Sequence, residues 1–584
     1  MIKNLFTFPA ILTIPLLLAG FSMALFFHGT QDPLFAPQVA CFSLMGFILL
    51  CACNQRGWDV PKSATVAAIL AYWLFLFIAL QWSTTPYIST YFFFIFSLMP
   101  FLFFSLIMAH DPRRACAIHA GAIITVIAAA ALWAVVQFLF FYAAYGPRIR
   151  HPFLDPNSLT GLLNLGFLPA LAFFMVVRRR IYKIAGAAAV CLFYAALVVT
   201  QSRAGMIASL TSVFVLLPFL SRPLHERGFK LLAVLAIGLF VPYALWLYSD
   251  MAYSRDLGRA FTGGGMVSMT DRGAIWQATA AMIADHFWTG TGLASFFYYY
   301  SAYRLPGDSS DGFFAHMDPL QFWAEMGVGA PLLFYTVLIA ILARTIRALN
   351  KTTMSDTALR AKILGPFCAL LALVLHTHLN YHLYMPALCV PMAVLLAYWY
   401  AATEEILKDA RLSFVPRNAL LRYALPGFVC FVLGIAVLWS IRAAISSYNI
   451  AAAEESLYYN QPDKARHYVE AASRWGPRSA PLPPQYEAKW RQTKLLLQGN
   501  AMDETQKRAL YDEALAFLDE AQRRQPSFSF IHNARAKLYF VAQGQGLITD
   551  GNDRAIAELD KVLKADPLNL DARTGLANIY LHDG

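Results

Sequence analysis

Arginine and histidine in a few interhelical stretches are the side chains best suited to chemistry in this 584-residue chain. Arg203 stands in Thr200-Gln-Ser-Arg-Ala-Gly205 between two apolar runs, and Arg148 and Arg150 precede His151-Pro-Phe-Leu-Asp-Pro-Asn157. Arg272 and His316 belong to a long interruption of the apolar pattern, 250–317. A guanidinium offers a planar fork of donors that matches a phosphate bidentately. A histidine, with an ordinary pKa of about 6.5, can accept a proton near neutral pH. Plainer readings stand beside these. A single interfacial Arg often reaches for lipid headgroups, and His316, in Ala315-His-Met-Asp318, could cap a helix or line an interface. Asp318 is placed either to orient the His316 imidazole or to cap the helix that begins with Pro319.

The elements that must hold these residues are membrane spans. The chain is 58% hydrophobic and 14% charged, whereas a soluble protein carries about 25% charged residues. The net charge of +11 is therefore a topology signal first, and no nucleic-acid partner is expected. Apolar stretches of spanning length predict thirteen spans, near 8–27, 35–53, 64–82, 90–109, 115–143, 158–177, 182–200, 204–220, 230–249, 320–343, 361–379, 384–402 and 421–441. Phe8 to Phe27 has no clear small-residue cleavage site, which predicts an anchor rather than a removed leader. The connecting loops alternate in charge. One set holds Lys3, Arg56, Arg113, Arg178 to Arg180, Arg222, Arg344, Arg411 and their cationic neighbours, while the opposite short loops hold only Arg148, Arg150 and Arg203. Cationic loops stay in the cytoplasm. The three arginines, the interruption and the tail are thus expected outside, with the N-terminus inside. Cation on that outer face asks for a reason, and an anionic, lipid-carried ligand supplies one.

Two domains are expected: a transmembrane domain over 1–445 and a soluble helical domain over 446–584. In the tail, Ala555, Leu559, Leu563, Ala572, Leu576 and Tyr580 follow the small and large alternation of tetratricopeptide-type helix pairs. Such repeats stack and present a surface to a partner protein; a spacer or stability cap is the alternative. The final helix, near Gly584, lacks an evident capping helix, and further repeats are expected beyond it. Thr270 or Asp271 is expected to cap a helix opened by Arg272, with Ile275, Trp276, Met282 and Ile283 at helical spacing. Asn157 is expected to cap the helix after the two prolines. No metal site is expected: the cysteines lie in or beside apolar segments without zinc spacing. The trio His376, His378 and His382 fits sugar contacts or an interfacial belt with Tyr381 and Tyr384 better.

These segments, with Asp271-Arg-Gly-Ala-Ile-Trp276, Gly290-Thr-Gly292 and His316 through Gly327, together resemble the bacterial O-antigen ligase superfamily. It comprises O-antigen ligases, O-antigen polymerases and protein O-oligosaccharyltransferases. The resemblance runs in the family's order from the sixth to the tenth predicted span. It implies an all-α, polytopic, GT-C-like glycosyltransferase of the bacterial inner membrane, with its C-terminal domain in the periplasm. Such an enzyme moves a glycan from an undecaprenyl-diphosphate carrier to an acceptor at the outer face, without cofactor or metal. His316 matches the family's essential loop histidine, and Arg203 and Arg272 match its diphosphate-holding arginines. Arg148, Arg150, His378 and Tyr381 are further substrate-binding candidates. The chain departs from the pattern at Met317, where members often carry Asn. It departs again at Asn380 and His382, where the protein-glycosylating branch usually has Glu and Pro, and that weakens a protein acceptor. The leading expectation is transfer to a lipid A-core or similar glycolipid. Transfer to protein Ser/Thr, polymerisation, a lipid-oligosaccharide transporter and an envelope scaffold are the alternatives.

Overall fold

A computed structural model describes residues 8–25, 40–42, 44–45, 58–109, 111–141, 148–153, 155–220, 265–306, 308, 310, 312–414, 419–527 and 530–583. The membrane part contains α1 (Phe8–Leu25), α2 (Ala64–Ala79), α3 (Pro86–Ile107), α4 (Pro112–Phe140), α5 (Pro156–Val176), α6 (Arg180–Thr200) and α7 (Arg203–Phe219). It continues with α8 (Gly265–Asp285), α9 (Phe296–Tyr303), α10 (Asp318–Met326), α11 (Gly329–Asn350), α12 (Thr357–Thr377), α13 (Pro386–Leu407) and α14 (Ala419–Tyr458). Among the described residues nine helices are long and apolar enough to cross a membrane, and two shorter apolar helices, Thr13–Leu25 and Arg203–Phe219, accompany them. Each corresponds to a predicted segment. The expected span 230–249 lies outside the described residues, as does most of 35–53.

Helix α13 is the axis of the bundle, with Trp399 and Tyr400 fully buried. In a bilayer the backbone must satisfy itself, so helix ends and their caps decide where chemistry can sit. At one rim, β1 (Trp58–Pro61) pairs antiparallel with β2 (Arg411–Phe414), register Trp58 to Phe414. Beside it, buried Arg344 meets Asp409 at 2.7 Å and lies over the Tyr400 ring. This carboxylate and aromatic partner account for a buried cation without a catalytic role.

The opposite rim gathers the starts of α5, α7 and α13 with the ends of α6 and α12. The predicted span 320–343 divides there into α10 and α11, because Gly327 takes φ 76° and packs against the Trp288 carbonyl, where a Cβ would collide. Gly290, φ 64°, abuts the Glu325 backbone in the same way. These glycines permit a close backbone crossing. Helix α8 begins at Gly265, so Arg272 sits within the helix instead of opening it. No helix breaker lies between Met266 and Thr270, and the helix extends past both expected caps.

The tail is α15 (Pro462–Trp475), α16 (Leu482–Gln498), α17 (Glu504–Arg524), α18 (Phe530–Gly544), α19 (Gly551–Ala565) and α20 (Leu570–Asp583). Each helix packs on the next around small apolar clusters. The predicted junction at 445/446 falls inside α14, one 40-residue helix that carries the chain from apolar span to polar tail. The tail rests on the membrane part. Ser301 Oγ donates to the Ala565 carbonyl at 3.3 Å, and Ser527 Oγ to the Thr84 carbonyl at 3.5 Å.

Candidate active site

Caps build the site floor. Asp155, not Asn157, caps α5: its carboxylate accepts from Ser158 N at 3.1 Å. Pro156, with φ preset and no N–H to lose, then occupies the first helical position, which leaves the residue before it as the cap. Asn157 instead bridges neighbours, donating to Asp155 Oδ1 and accepting from Ser202 Oγ at 2.7 Å. Ser202 caps α7. Two helix N-termini, α5 and α7, are thereby tied side by side, and their free amides and dipoles favour an anion.

Arg203 is the first residue of α7 and is exposed. Arg148 is held near the end of α6 by the Ile149 N–H bond to the Val199 carbonyl at 3.3 Å. Arg272 projects from α8, half-buried. Burial lowers the Arg148 guanidinium, Asp155 opposes that, and Arg203 adds to it. Burial also lowers Arg272, again opposed by Asp155, with Arg148 lowering it and Tyr381 raising it. Arg148 is thus coupled to both Arg203 and Arg272, and Asp155 is the acidic neighbour shared by Arg148 and Arg272, a positive excess suited to a polyanion. Arg148 and Arg150 are both exposed, and Arg150 is not among the charges that act on Arg148 or Arg272.

His316 is brought to this cluster by Trp276, one turn along α8 from Arg272. Trp276 Nε1 donates to the Ala315 carbonyl at 3.0 Å, and Ala315 N donates to Gln321 Oε1 at 3.0 Å. Clamped on both sides, the chain holds His316 at φ 53°, a left-handed conformation uncommon outside glycine. Its imidazole meets the Tyr381 ring edge-on at 5.1 Å, and Tyr381 stacks on Phe314 at 4.0 Å. Asp318 is buried and its carboxylate accepts from Leu383 N at 3.0 Å. It straps the 378–385 segment under Tyr381. His378 bonds the Tyr335 hydroxyl at 2.9 Å on the α11 side. The rings of His376 and His382, both fully buried, meet edge-on at 4.2 Å. Among the described residues no group of three or more His, Cys, Asp or Glu could hold a metal ion.

Sequence reasoning missed Asp155 and Glu325. Asp-Pro was a legible cap signal. Glu325 was legible only as an acid within an apolar helix face. Its carboxylate, buried in α10, accepts from Ala294 N and Tyr384 Oη at 2.7 Å each and from Gln321 Nε2 at 2.9 Å. It thus ties α10 to the 290–296 turn and to the start of α13. Burial raises it to about 7, and the hydrogen bonds from Tyr384, Gln321, Ala294 and Phe296 pull it back. A folded pKa above the ordinary 4.5 gives stability that is complete below that value and is lost as pH rises to about 7. Thermal stability in detergent should fall over that window, and Glu325→Gln should flatten the fall. Glu325→Ala should lower stability at every pH, since each donor left without an acceptor costs about 1–3 kcal/mol.

Gly205 lets α7 reach α5 and α12. A Cβ there would overlap the Thr160 methyl and come within 2.9 Å of His376 Cε1. Alanine gains about 1 kcal/mol over glycine in a helix, while overpacking costs about 1–3 kcal/mol. Gly205→Ala is therefore expected to lower the melting temperature. Gly161→Ala, whose nearest neighbour would be 3.3 Å away at His382, should be milder. Equal melting shifts for the two would count against this packing.

The bundle defines a multi-pass helical membrane protein, one rim of which carries arginine and histidine side chains. Residues 187–335 match the family model described as O-Antigen ligase, and over that stretch the match supports the O-antigen ligase superfamily. The matched stretch runs from α6 into α11 and contains Arg203, Arg272 and His316. The match supports a membrane glycosyltransferase of the O-antigen ligase or polymerase type. A comparison with curated proteins found no match.

Proposed function

We propose that this protein transfers a glycan from undecaprenyl diphosphate to a lipid A-core or other glycolipid acceptor, at the periplasmic face of the inner membrane. His316 takes the proton of the acceptor hydroxyl as its oxygen attacks the anomeric carbon. The bond from that carbon to the diphosphate oxygen breaks, and its electron pair stays with the diphosphate. Arg203 and Arg272 stabilise that growing charge, with Arg148 adding field. Direct displacement inverts the anomeric centre. One observation carries the reading: Arg272 interacts with Asp155, Arg148 and Tyr381, Arg203 acts on Arg148, and the same Tyr381 ring packs against His316. The base and the anion site are thus neighbours across one aromatic ring. The tail, resting on α9, is proposed to brace the loop that bears His316 and to offer a repeat surface to a partner protein.

Purified full-length protein given a lipid-linked donor and, separately, a glycolipid, a Ser/Thr-rich protein and a second donor molecule tests the choice of acceptor. Mass analysis is expected to find glycan on the glycolipid. Glycan on the protein alone, or polymer alone, would replace this reading.

A further inference from the structure

A second feature of the bundle bears on the acceptor. Between α2, α3, α11, α12 and α13 lies an apolar cavity of about 460 Å³. Its α11 wall includes Ile339 and Leu342, both exposed on the lipid-facing surface of the helix, so the cavity opens sideways to the bilayer. Helix α12 stands between it and the arginine cluster. Val374 and Thr377 line the cavity, whereas His376, beside Thr377, turns toward Gly205 on α7. At the site end, cavity residue Tyr335 bonds His378 at 2.9 Å, and Leu383 belongs to the segment that presents Tyr381 to His316.

We infer that this cavity seats an acyl chain of a lipid acceptor, while the prenyl chain of the donor runs along the other face of α12. Charge favours this assignment. The diphosphate goes with the arginines on the α5 and α7 side. The cavity rim offers Tyr335, Thr377 and His378, which carry hydrogen-bonding groups suited to a hydroxylated sugar headgroup but no arginine or lysine. In lipid an apolar wall gains little from exclusion of water, so a fixed cavity selects a chain by van der Waals contact. A chain seated there leaves its headgroup at the Tyr335 and His378 rim, on the acceptor side of His316. The inference rests on the proposed glycolipid acceptor and places it.

Photolabelling the wild-type protein tests this without turnover. A lipid A-core glycolipid with a diazirine on its acyl chain, and a prenyl diphosphate with a diazirine on its chain, are irradiated separately with the full chain. The acyl probe should label α11 and α12 near Leu338 and Val374, and the prenyl probe should not. Labelling of those sites by the prenyl probe, or by neither probe, would overturn the inference. Because binding is read directly, failure of the proposed transfer reaction would appear separately, as absent product in the assay above. Leu338→Trp, which fills the cavity, should raise KM for the acylated acceptor at least about tenfold and leave KM for the donor unchanged. A rise for the donor alone would also overturn it.

Discussion

Loss of His316 is expected to slow glycan transfer by about 10²–10⁴-fold, the usual contribution of a positioned general base. The substitution must separate chemistry from backbone geometry, because His316 sits at φ 53°. Asparagine tolerates that region better than most residues, and glycine adopts it without strain. His316→Asn and His316→Gly should therefore keep the loop in place, remain abundant in the membrane and still be inactive. His316→Ala should be inactive and slightly less stable. The measurement is initial rate of product formation from a lipid-linked donor, with protein level and melting temperature recorded for each variant. Near wild-type transfer by a correctly inserted His316→Gly would remove His316 from the mechanism. Tyr381, packed edge-on against the imidazole, acts through His316, so Tyr381→Leu should cost less than either substitution at 316.

Arginine removal ranks second. Arg203→Ala and Arg272→Ala are each expected to cut transfer by about 10²–10³-fold, the scale for removing one donor to a developing negative charge. Lysine should restore little at either position, since it presents a point charge where a planar fork is needed. The two effects should not add, because both guanidiniums interact with Arg148. Arg148→Ala is expected to be milder and Arg150→Ala close to neutral. Competition by inorganic pyrophosphate offers a readout independent of the acceptor. Its inhibition constant should rise in the Arg203 and Arg272 variants and stay unchanged in the Arg150 variant. Unchanged pyrophosphate inhibition in the Arg203→Ala, Arg272→Ala double variant would displace the diphosphate from this site.

Much of the architecture was legible because membrane insertion writes itself into composition. Each helix of spanning length or composition in the described residues matches an apolar run in the sequence, and α14 differs chiefly in continuing past its apolar part into the tail. Helix boundaries were less legible. Asn157 and Asp155 are both good caps, and only the fixed first position of Pro156 separates them. The division at Gly327 depends on the Trp288 carbonyl, a neighbour nearly forty positions away that no local pattern reveals.

The sequence by itself determined the class of protein and the residue types at the site. Apolar length, loop charge and the order of Arg203, Arg272 and His316 are local properties, written where they act. Tertiary structure alone decided which of these residues work together. Arg148 acts on Arg272 and Arg150 is not among the charges on it, although two positions separate them. His376 lies against Gly205 on α7, while His378 turns to Tyr335 on α11. The physical reason is that a helix sends neighbouring side chains to different faces, and the partner on each face comes from packing between helices remote in the chain.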